Sequence, residues 1–118
     1  MKFTMVHNNF NVRDLDKSIK FYEDALGLKP GRRIEPADGS FKIVYLEDGS
    51  SNHQLELTWL RDWDRPYNLG DNEFHLAFVV DDYEGAFQKN TKKWVVLCMK
   101  TLTWAFTSLP IRMVIGWK

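Results

Sequence analysis

Apolar and polar residues alternate along residues 3–12, and this two-residue period predicts a β-strand. The period then lengthens to three or four residues, which predicts a helix with one buried face. The apolar positions of that face are Leu15, Ile19, Tyr22 and Leu26. Asp14 is suited to cap the start of the helix and Gly27 its end.

Three more strands are predicted at residues 29–35, 41–47 and 54–60, and the short segments between them carry turn residues. Residues 1–61 therefore form a β-α-β-β-β module. A polar loop over residues 61–72 precedes a strand at 73–80 and a helix at about 82–88, so a second module begins at about residue 72 as the first one did. The sequence predicts an α+β fold of two such modules within one domain, residues 1–118.

The tail, residues 90–118, differs from the rest of the chain. It contains no Asp or Glu, and its first glycine is Gly116. It shows no alternating pattern and lacks the turn residues that hairpins need. The expected second module is therefore incomplete or altered, and the apolar surface that this leaves favours association.

The tail has the features of translation in a shifted frame after about Lys89. When the last nucleotide of each codon is read with the first two of the next, several residues are forced by the genetic code. Codon pairs 94–95, 104–105 and 113–114 must yield glycine, and pairs 99–100 and 117–118 must yield glutamate. Each of these residues falls at a position where the expected second module needs a turn residue or an acidic residue. The alternative is a genuine apolar C-terminal segment, such as an interface element.

Charge and composition exclude several classes of function. The formal net charge is zero and the basic residues are dispersed among acids, so the sequence predicts no nucleic-acid partner. No uninterrupted apolar stretch is long enough for a membrane span, and the first residues do not resemble a signal peptide. The single cysteine fits a reducing compartment. We therefore expect a cytoplasmic protein.

His7, Glu56 and His75 are the candidate metal ligands. Each lies inside a predicted strand between apolar neighbours, and the two histidines open the two modules. Two imidazoles and a carboxylate suit a borderline divalent ion such as Zn, Ni, Co or Fe. Taken singly, each is more simply explained as a structural residue with a hydrogen-bond partner.

Three segments carry a resemblance to a known family: HNNFNVRDLDKSIKFYEDALGL at residues 7–28, LELTW at 55–59, and FHLAFVVDD at 74–82. They resemble glyoxalase I (lactoylglutathione lyase) of the vicinal oxygen chelate superfamily. The resemblance implies that the two modules form an open half-barrel and that the protein pairs as a homodimer. It also implies that His7, Glu56 and His75 bind a divalent metal ion (Zn, Ni or Co). The family's fourth ligand, a glutamate, would arise only from the shifted frame at residues 117–118.

The activity implied by the resemblance is isomerisation of the hemithioacetal of methylglyoxal and a thiol to a 2-hydroxyacyl thioester. Glu56 is then a candidate base. Asn11 stands where members that use glutathione commonly carry an arginine, so the thiol is expected to differ from glutathione. Trp59 is a candidate for the substrate mouth, with ordinary packing as its alternative.

Two other functions stay open at this stage. One is another enzyme of the same superfamily, such as an acyl-CoA epimerase or a thiol transferase. The other is a metal-free small-molecule binding or resistance protein, although such a pocket has no need of two histidines and a glutamate.

Overall fold

Seven strands and two helices are formed within residues 1–68, 75–93, 97–98 and 112–117, which the computed structural model describes. In chain order they are β1 His7–Asn11, α1 Leu15–Leu26, β2 Lys29–Ile34, β3 Phe41–Glu47, β4 Gln54–Leu60, β5 His75–Val80, α2 Tyr83–Lys93, β6 Leu97–Cys98 and β7 Arg112–Trp117. The chain divides into two units, Met1–Tyr67 and Asn68–Lys118.

The first unit is a four-stranded sheet with one helix. Its strand order is β1-β4-β3-β2, in which β1 pairs parallel to β4 and the other neighbours are antiparallel. One face of the sheet carries the apolar side chains of β3 and β4, and α1 contacts β4 and β2. The buried core comprises Leu15, Ile19, Tyr22, Ala25, Leu28, Val44, Tyr45, Leu46, Leu55 and Leu57. The sequence-predicted β-α-β-β-β order is confirmed for this unit.

Both predicted ends of α1 are confirmed. The Asp14 side chain accepts a hydrogen bond from the backbone N–H of Lys17 at 3.0 Å, which satisfies one of the free donors of the first turn. At the other end Gly27 has a φ of 73°, a left-handed conformation that is costly for residues with a Cβ. The helix therefore stops at Leu26, and the chain turns into β2.

The first strand is shorter than its pattern predicts. It begins at His7 rather than at residue 3, because its only partner in the unit, β4, begins at Gln54. The last backbone bond at this end runs from the Gln54 N–H to the Val6 carbonyl at 2.9 Å. The apolar side chains that precede it stay exposed: Met1, Phe3, Met5 and Val6.

The second unit has a three-stranded sheet of order β5-β7-β6, in which both pairings are parallel. Although the tail shows no alternating pattern, its residues Arg112–Trp117 form β7, which pairs along its whole length with β5. A parallel strand can be buried on both faces and then reads as a continuous apolar run, so alternation was the wrong test. The helix α2 is also longer than predicted and ends at Lys93.

The α+β class is confirmed by both units. Within the residues described, neither helix has the length and apolar character needed to cross a membrane.

Candidate metal centre

The strand β1 presents alternate side chains to one face of the first sheet. His7, Asn9 and Asn11 are exposed, whereas Asn8 and Phe10 between them are half-buried on the opposite face. Strand β4 lies parallel to β1, with Asn9 opposite Glu56 and Asn11 opposite Thr58. Because side chains alternate along a strand, five polar residues share one face of the sheet, which we call the polar face. They are His7, Asn9, Asn11, Glu56 and Thr58.

His7 and Glu56 meet on the polar face. The His7 Nε2 lies 3.2 Å from the Glu56 Oε2, with 38% of the His7 side chain and 12% of the Glu56 side chain exposed. Two metal bonds of about 2.1 Å at a tetrahedral angle would hold their donor atoms about 3.4 Å apart. The pair therefore fits two ligands of one divalent ion, and without an ion it forms a salt bridge when His7 is protonated.

A row of polar contacts runs from Glu56 across the polar face to Asn11, with the single Thr58 hydroxyl proton shared between two acceptors. The Thr58 Oγ1 lies 3.1 Å from the Glu56 Oε1 and 2.7 Å from the Asn9 Oδ1. The Asn9 side-chain amide in turn donates to the Asn11 Oδ1 at 2.9 Å. The Thr58–Asn9 contact joins the side chains of β4 to those of β1.

Tyr45 completes the surroundings of the pair. It is buried at 4% exposure and lies directly opposite Glu56 in the antiparallel pairing of β3 with β4. Its ring meets the His7 ring edge to face, with centroids 5.5 Å apart and planes at 77°. The pKa of Tyr45 is raised, first by a hydrogen bond to Glu56 and then by burial. The hydroxyl therefore stays protonated and able to donate at neutral pH.

A bulge in β2 brings Arg32 over the Tyr45 ring. The register between β2 and β3 shifts between Pro30 and Arg33, so that Gly31 and Arg32 together oppose Tyr45. The Arg32 guanidinium carbon lies 4.2 Å from the centroid of the Tyr45 ring, a cation–π contact.

The sequence-predicted site residues divide between the two faces and the two units. His7, Glu56 and Asn11 share the polar face. Trp59 lies on the opposite face, where it pairs with Lys42, and its place at the substrate mouth stays a prediction. His75 begins β5, and its side chain lies outside the described residues, as do residues 118 and 99–111 of the tail.

Among the described side chains, no group of three or more His, Cys, Asp or Glu residues lies close enough to hold a metal ion. The centre that the structure describes is thus a pair of candidate ligands.

Tyr45, Thr58 and Asn9 were not predicted from the sequence as part of the site. Thr58 and Asn9 could have been found from the two-residue period of a strand, because Thr58 lies two positions from Glu56 and Asn9 two positions from His7. Tyr45 could be found only from the register of the β3–β4 hairpin, which depends on the loop conformation between the strands.

Residues 4–96 match the Glyoxalase/Bleomycin resistance protein/Dioxygenase superfamily. A lactoylglutathione lyase of Haemophilus influenzae is 39% identical over 80 residues, which cover 66% of this chain and 58% of that protein. A lactoylglutathione lyase of Neisseria meningitidis is 33% identical over 79 residues, or 66% of this chain and 57% of that protein. The chain thus spans under two thirds of the length of these relatives.

Solved structures with a similar fold include glyoxalase I from Zea mays, with a TM-score of 0.66 at 30% identity. The match covers 75% of this chain and 32% of the maize chain. A trypanothione-dependent glyoxalase I of Leishmania major aligns with a TM-score of 0.57 at 27% identity, over 77% of this chain and 66% of its own.

Proposed function

Because the chain belongs to the Glyoxalase/Bleomycin resistance protein/Dioxygenase superfamily, we propose that it is an enzyme of the glyoxalase I type. The proposed reaction converts the hemithioacetal of a 2-oxoaldehyde, such as methylglyoxal, and a thiol into a 2-hydroxyacyl thioester. The observation that carries the proposal is the His7–Glu56 pair on the polar face. The lactoylglutathione lyases among the relatives support this reaction class over the epimerase and transferase alternatives.

The proposed cofactor is a divalent metal ion, Zn, Ni or Co. His7 and Glu56 would supply two ligands from the first unit, and His75 is proposed as a third. Imidazole nitrogen and carboxylate oxygen suit these ions. When bound, the cation supplies Lewis-acid stabilisation of the negative charge that develops on the two vicinal oxygens of the substrate.

Glu56 is the proposed base. Its carboxylate accepts the proton from C1 of the hemithioacetal and returns it to C2. The C–O double bond moves from C2 to C1, and the hydroxyl proton moves from the C1 oxygen to the C2 oxygen. The reaction is an isomerisation, so atoms and electrons balance without an oxidant or reductant. Its 12% exposure leaves Glu56 accessible to substrate, yet it is screened enough from water for its hydrogen bonds to hold it in place.

The thiol is proposed to be a low-molecular-weight thiol other than glutathione. Asn11 is neutral, and it accepts a hydrogen bond from Asn9 rather than presenting a cation to a carboxylate. An arginine would bind such a carboxylate through two parallel bonds, which an amide cannot reproduce.

The protein is further proposed to act as a cytoplasmic homodimer. The exposed apolar residues that precede β1 support association, and the single cysteine supports a reducing compartment.

A metal-free binding protein is the second candidate function. It is favoured by one observation: the described side chains bring together only two candidate ligands, and these two already contact each other at 3.2 Å.

Metal analysis and an isomerase assay on the purified chain separate the two functions. We expect about one divalent ion per chain, and thioester formation from methylglyoxal with cysteine or coenzyme A in preference to glutathione. The rate should be low, since no glutamate follows residue 84 in the chain. A protein that binds no Zn, Ni or Co and forms no thioester, with the metal added in excess, would be a binding protein instead.

A further inference from the structure

Arg32 lies close to the His7–Glu56 pair, with one aromatic ring as their common neighbour. The bulge in β2 sets Arg32 opposite Tyr45, and its guanidinium carbon lies 4.2 Å from the centroid of the Tyr45 ring. The centroid of the His7 ring lies 5.5 Å from that of the same Tyr45 ring. Tyr45 is in turn directly opposite Glu56 in the sheet. The guanidinium therefore belongs to the surroundings of the two candidate ligands.

The positive charge of Arg32 is not neutralised by a carboxylate. Its side chain is exposed, and within the residues that the structure describes it takes part in no ion pair. The carboxylates near Tyr45 on β3 and β4 have other partners: Glu56 contacts His7 at 3.2 Å, and Glu47 accepts from the Gln54 side chain at 2.6 Å. A cation–π contact fixes the place of a guanidinium but leaves its charge available to an anion.

The next residue along β2, Arg33, lies on the other face of the sheet. It pairs with Val44, whose side chain is buried in the core of the first unit. Successive residues of β3 point to opposite faces, so Val44 and Tyr45 do not share one. Of the two consecutive arginines, the bulge therefore directs Arg32 alone to the face of the His7–Glu56 pair.

We propose that Arg32 binds a carboxylate on the thiol half of the substrate, and that the thiol carries this carboxylate within a few bonds of its sulfur. A guanidinium binds a carboxylate through two parallel hydrogen bonds. The short reach follows from the Tyr45 ring, which both Arg32 and His7 contact. The substrate oxygens are proposed to lie at the His7–Glu56 pair, so only a short arm is needed to reach the guanidinium.

The inference rests on the proposed function and narrows its substrate class. Free cysteine has a carboxylate two bonds beyond the carbon that bears its sulfur, and it fits this arrangement. Coenzyme A carries its anionic phosphates at the far end of a long neutral arm. In glutathione the carboxyl group of the cysteine is tied up in an amide. Arg32 therefore favours cysteine-like thiols over both.

Two probes that differ in one group test the assignment: the lactoyl thioesters of 3-mercaptopropionate and of propanethiol. The first has a carboxylate where the second has a methyl group. Calorimetric titration of the full chain, with and without Zn²⁺, gives the affinity for each. We expect the carboxylate probe to bind about 10-fold more tightly than the propyl probe, in line with one charge-assisted contact.

Matched substitutions assign that preference to one residue. In Arg32→Gln the two probes should bind with about equal affinity, because the cation is lost. Arg33→Gln makes the same chemical change on the opposite face and should keep the preference of the unsubstituted protein. The propyl probe serves as the internal control, since a variant that is merely misfolded loses affinity for both probes.

Three results would overturn the role of Arg32. The first is that the unsubstituted protein shows no preference for the carboxylate probe. The second is a preference that survives in Arg32→Gln, and the third is one that is lost equally in Arg33→Gln. If the isomerase assay detects no thioester, the proposed reaction fails, and the probe affinities alone decide whether Arg32 binds the carboxylate.

Discussion

Neighbouring residues of β4 serve opposite faces of the first sheet. Glu56 is 12% exposed on the polar face, whereas Leu57 is fully buried at 0% exposure against the helix-covered face. Any shift of β4 by one residue would exchange them, burying a carboxylate and exposing a leucine. The cost of that exchange fixes the register, and thereby the position of Glu56 opposite Tyr45 and near His7.

Leu57→Ala should lower the free energy of unfolding by about 2–5 kcal/mol, because it removes a fully buried side chain and leaves a cavity. Urea unfolding followed by circular dichroism measures the change. Leu60→Ala, at a half-buried position of the same strand, is the control and should cost less. Equal losses for the two variants would contradict the assignment of Leu57 to the centre of the core.

His7→Asn should weaken Zn²⁺ binding by at least 10-fold, since it removes one of two converging donors. The matched control is His53→Asn. The Nε2 of His53 is engaged with the Asn8 Oδ1 at 2.9 Å, and Asn8 faces away from the polar face. Calorimetric titration of the metal-free proteins should therefore give the unchanged affinity for His53→Asn. Similar affinities for the two variants would place the metal elsewhere.

At the scale of elements, the β3–β4 hairpin aligns Tyr45 with Glu56. The loop of this hairpin is stabilised by the carboxylate of Asp48. The Asp48 side chain accepts hydrogen bonds from the backbone N–H groups of Ser50 and Ser51 at 2.9 and 2.8 Å. Gly49, which lies between Asp48 and Ser50, has a φ of 73°. The bonds from Ser51 and Ser50 lower the pKa of Asp48 below its ordinary value of 3.8. The charged form of Asp48 therefore stabilises the folded state.

Asp48→Ala should lower the free energy of unfolding by about 1 kcal/mol at pH 7, in line with a lost solvent-exposed hydrogen bond. The pKa of Asp48 is lower in the folded state, so its contribution is complete above pH 3.8 and is lost as the pH falls through the lowered value. The unsubstituted protein and the variant should therefore differ at pH 7 and converge near pH 2. A difference that stays constant over this range would show that the charge is not involved.

The elements of the first unit follow closely from the sequence, because their signals are local. Strands β3 and β4 have the predicted bounds, and Asp14 and Gly27 cap α1 as expected. The start of β1 could not be predicted in this way, since it is set by where a distant partner strand begins. For the same reason β7, Arg112–Trp117, was missed: its parallel pairing depends on β5 and leaves no period in its own residues.

In the candidate site, too, local features could be predicted from the sequence, whereas those that depend on pairing with a distant strand could not. His7 and Glu56 could be picked out from residue type and strand context, whereas the distance between them depends on the parallel pairing of β1 with β4. The face on which Trp59 lies is set by a single step of alternation along β4, so residue type alone could not place it relative to Glu56.

At the scale of the whole molecule, the shifted-frame hypothesis for residues 90–118 stays a prediction with a direct test. Intact mass spectrometry of the protein expressed from its gene should give 13.9 kDa if the tail is translated as written. A one-nucleotide change near codon 90 that restores the other frame should then raise metal affinity and isomerase activity, because it supplies a terminal glutamate. Unchanged affinity and activity after that change would mean that the apolar tail is genuine.

The parallel pairing of β1 with β4 also sets the order in which the first unit forms. Strands β2, β3 and β4 are joined by short turns and can pair as neighbours, whereas β1 must close a loop that contains all of them and α1. Closing the longer loop has the larger entropic cost and is slower. Since β1 lies at the sheet edge and carries His7, we expect the His7–Glu56 pair to form late in folding and to separate early in opening. Amide hydrogens of β1 should therefore exchange with solvent ahead of those in β3, and a bound cation would slow that exchange by clamping the edge strand to its neighbour.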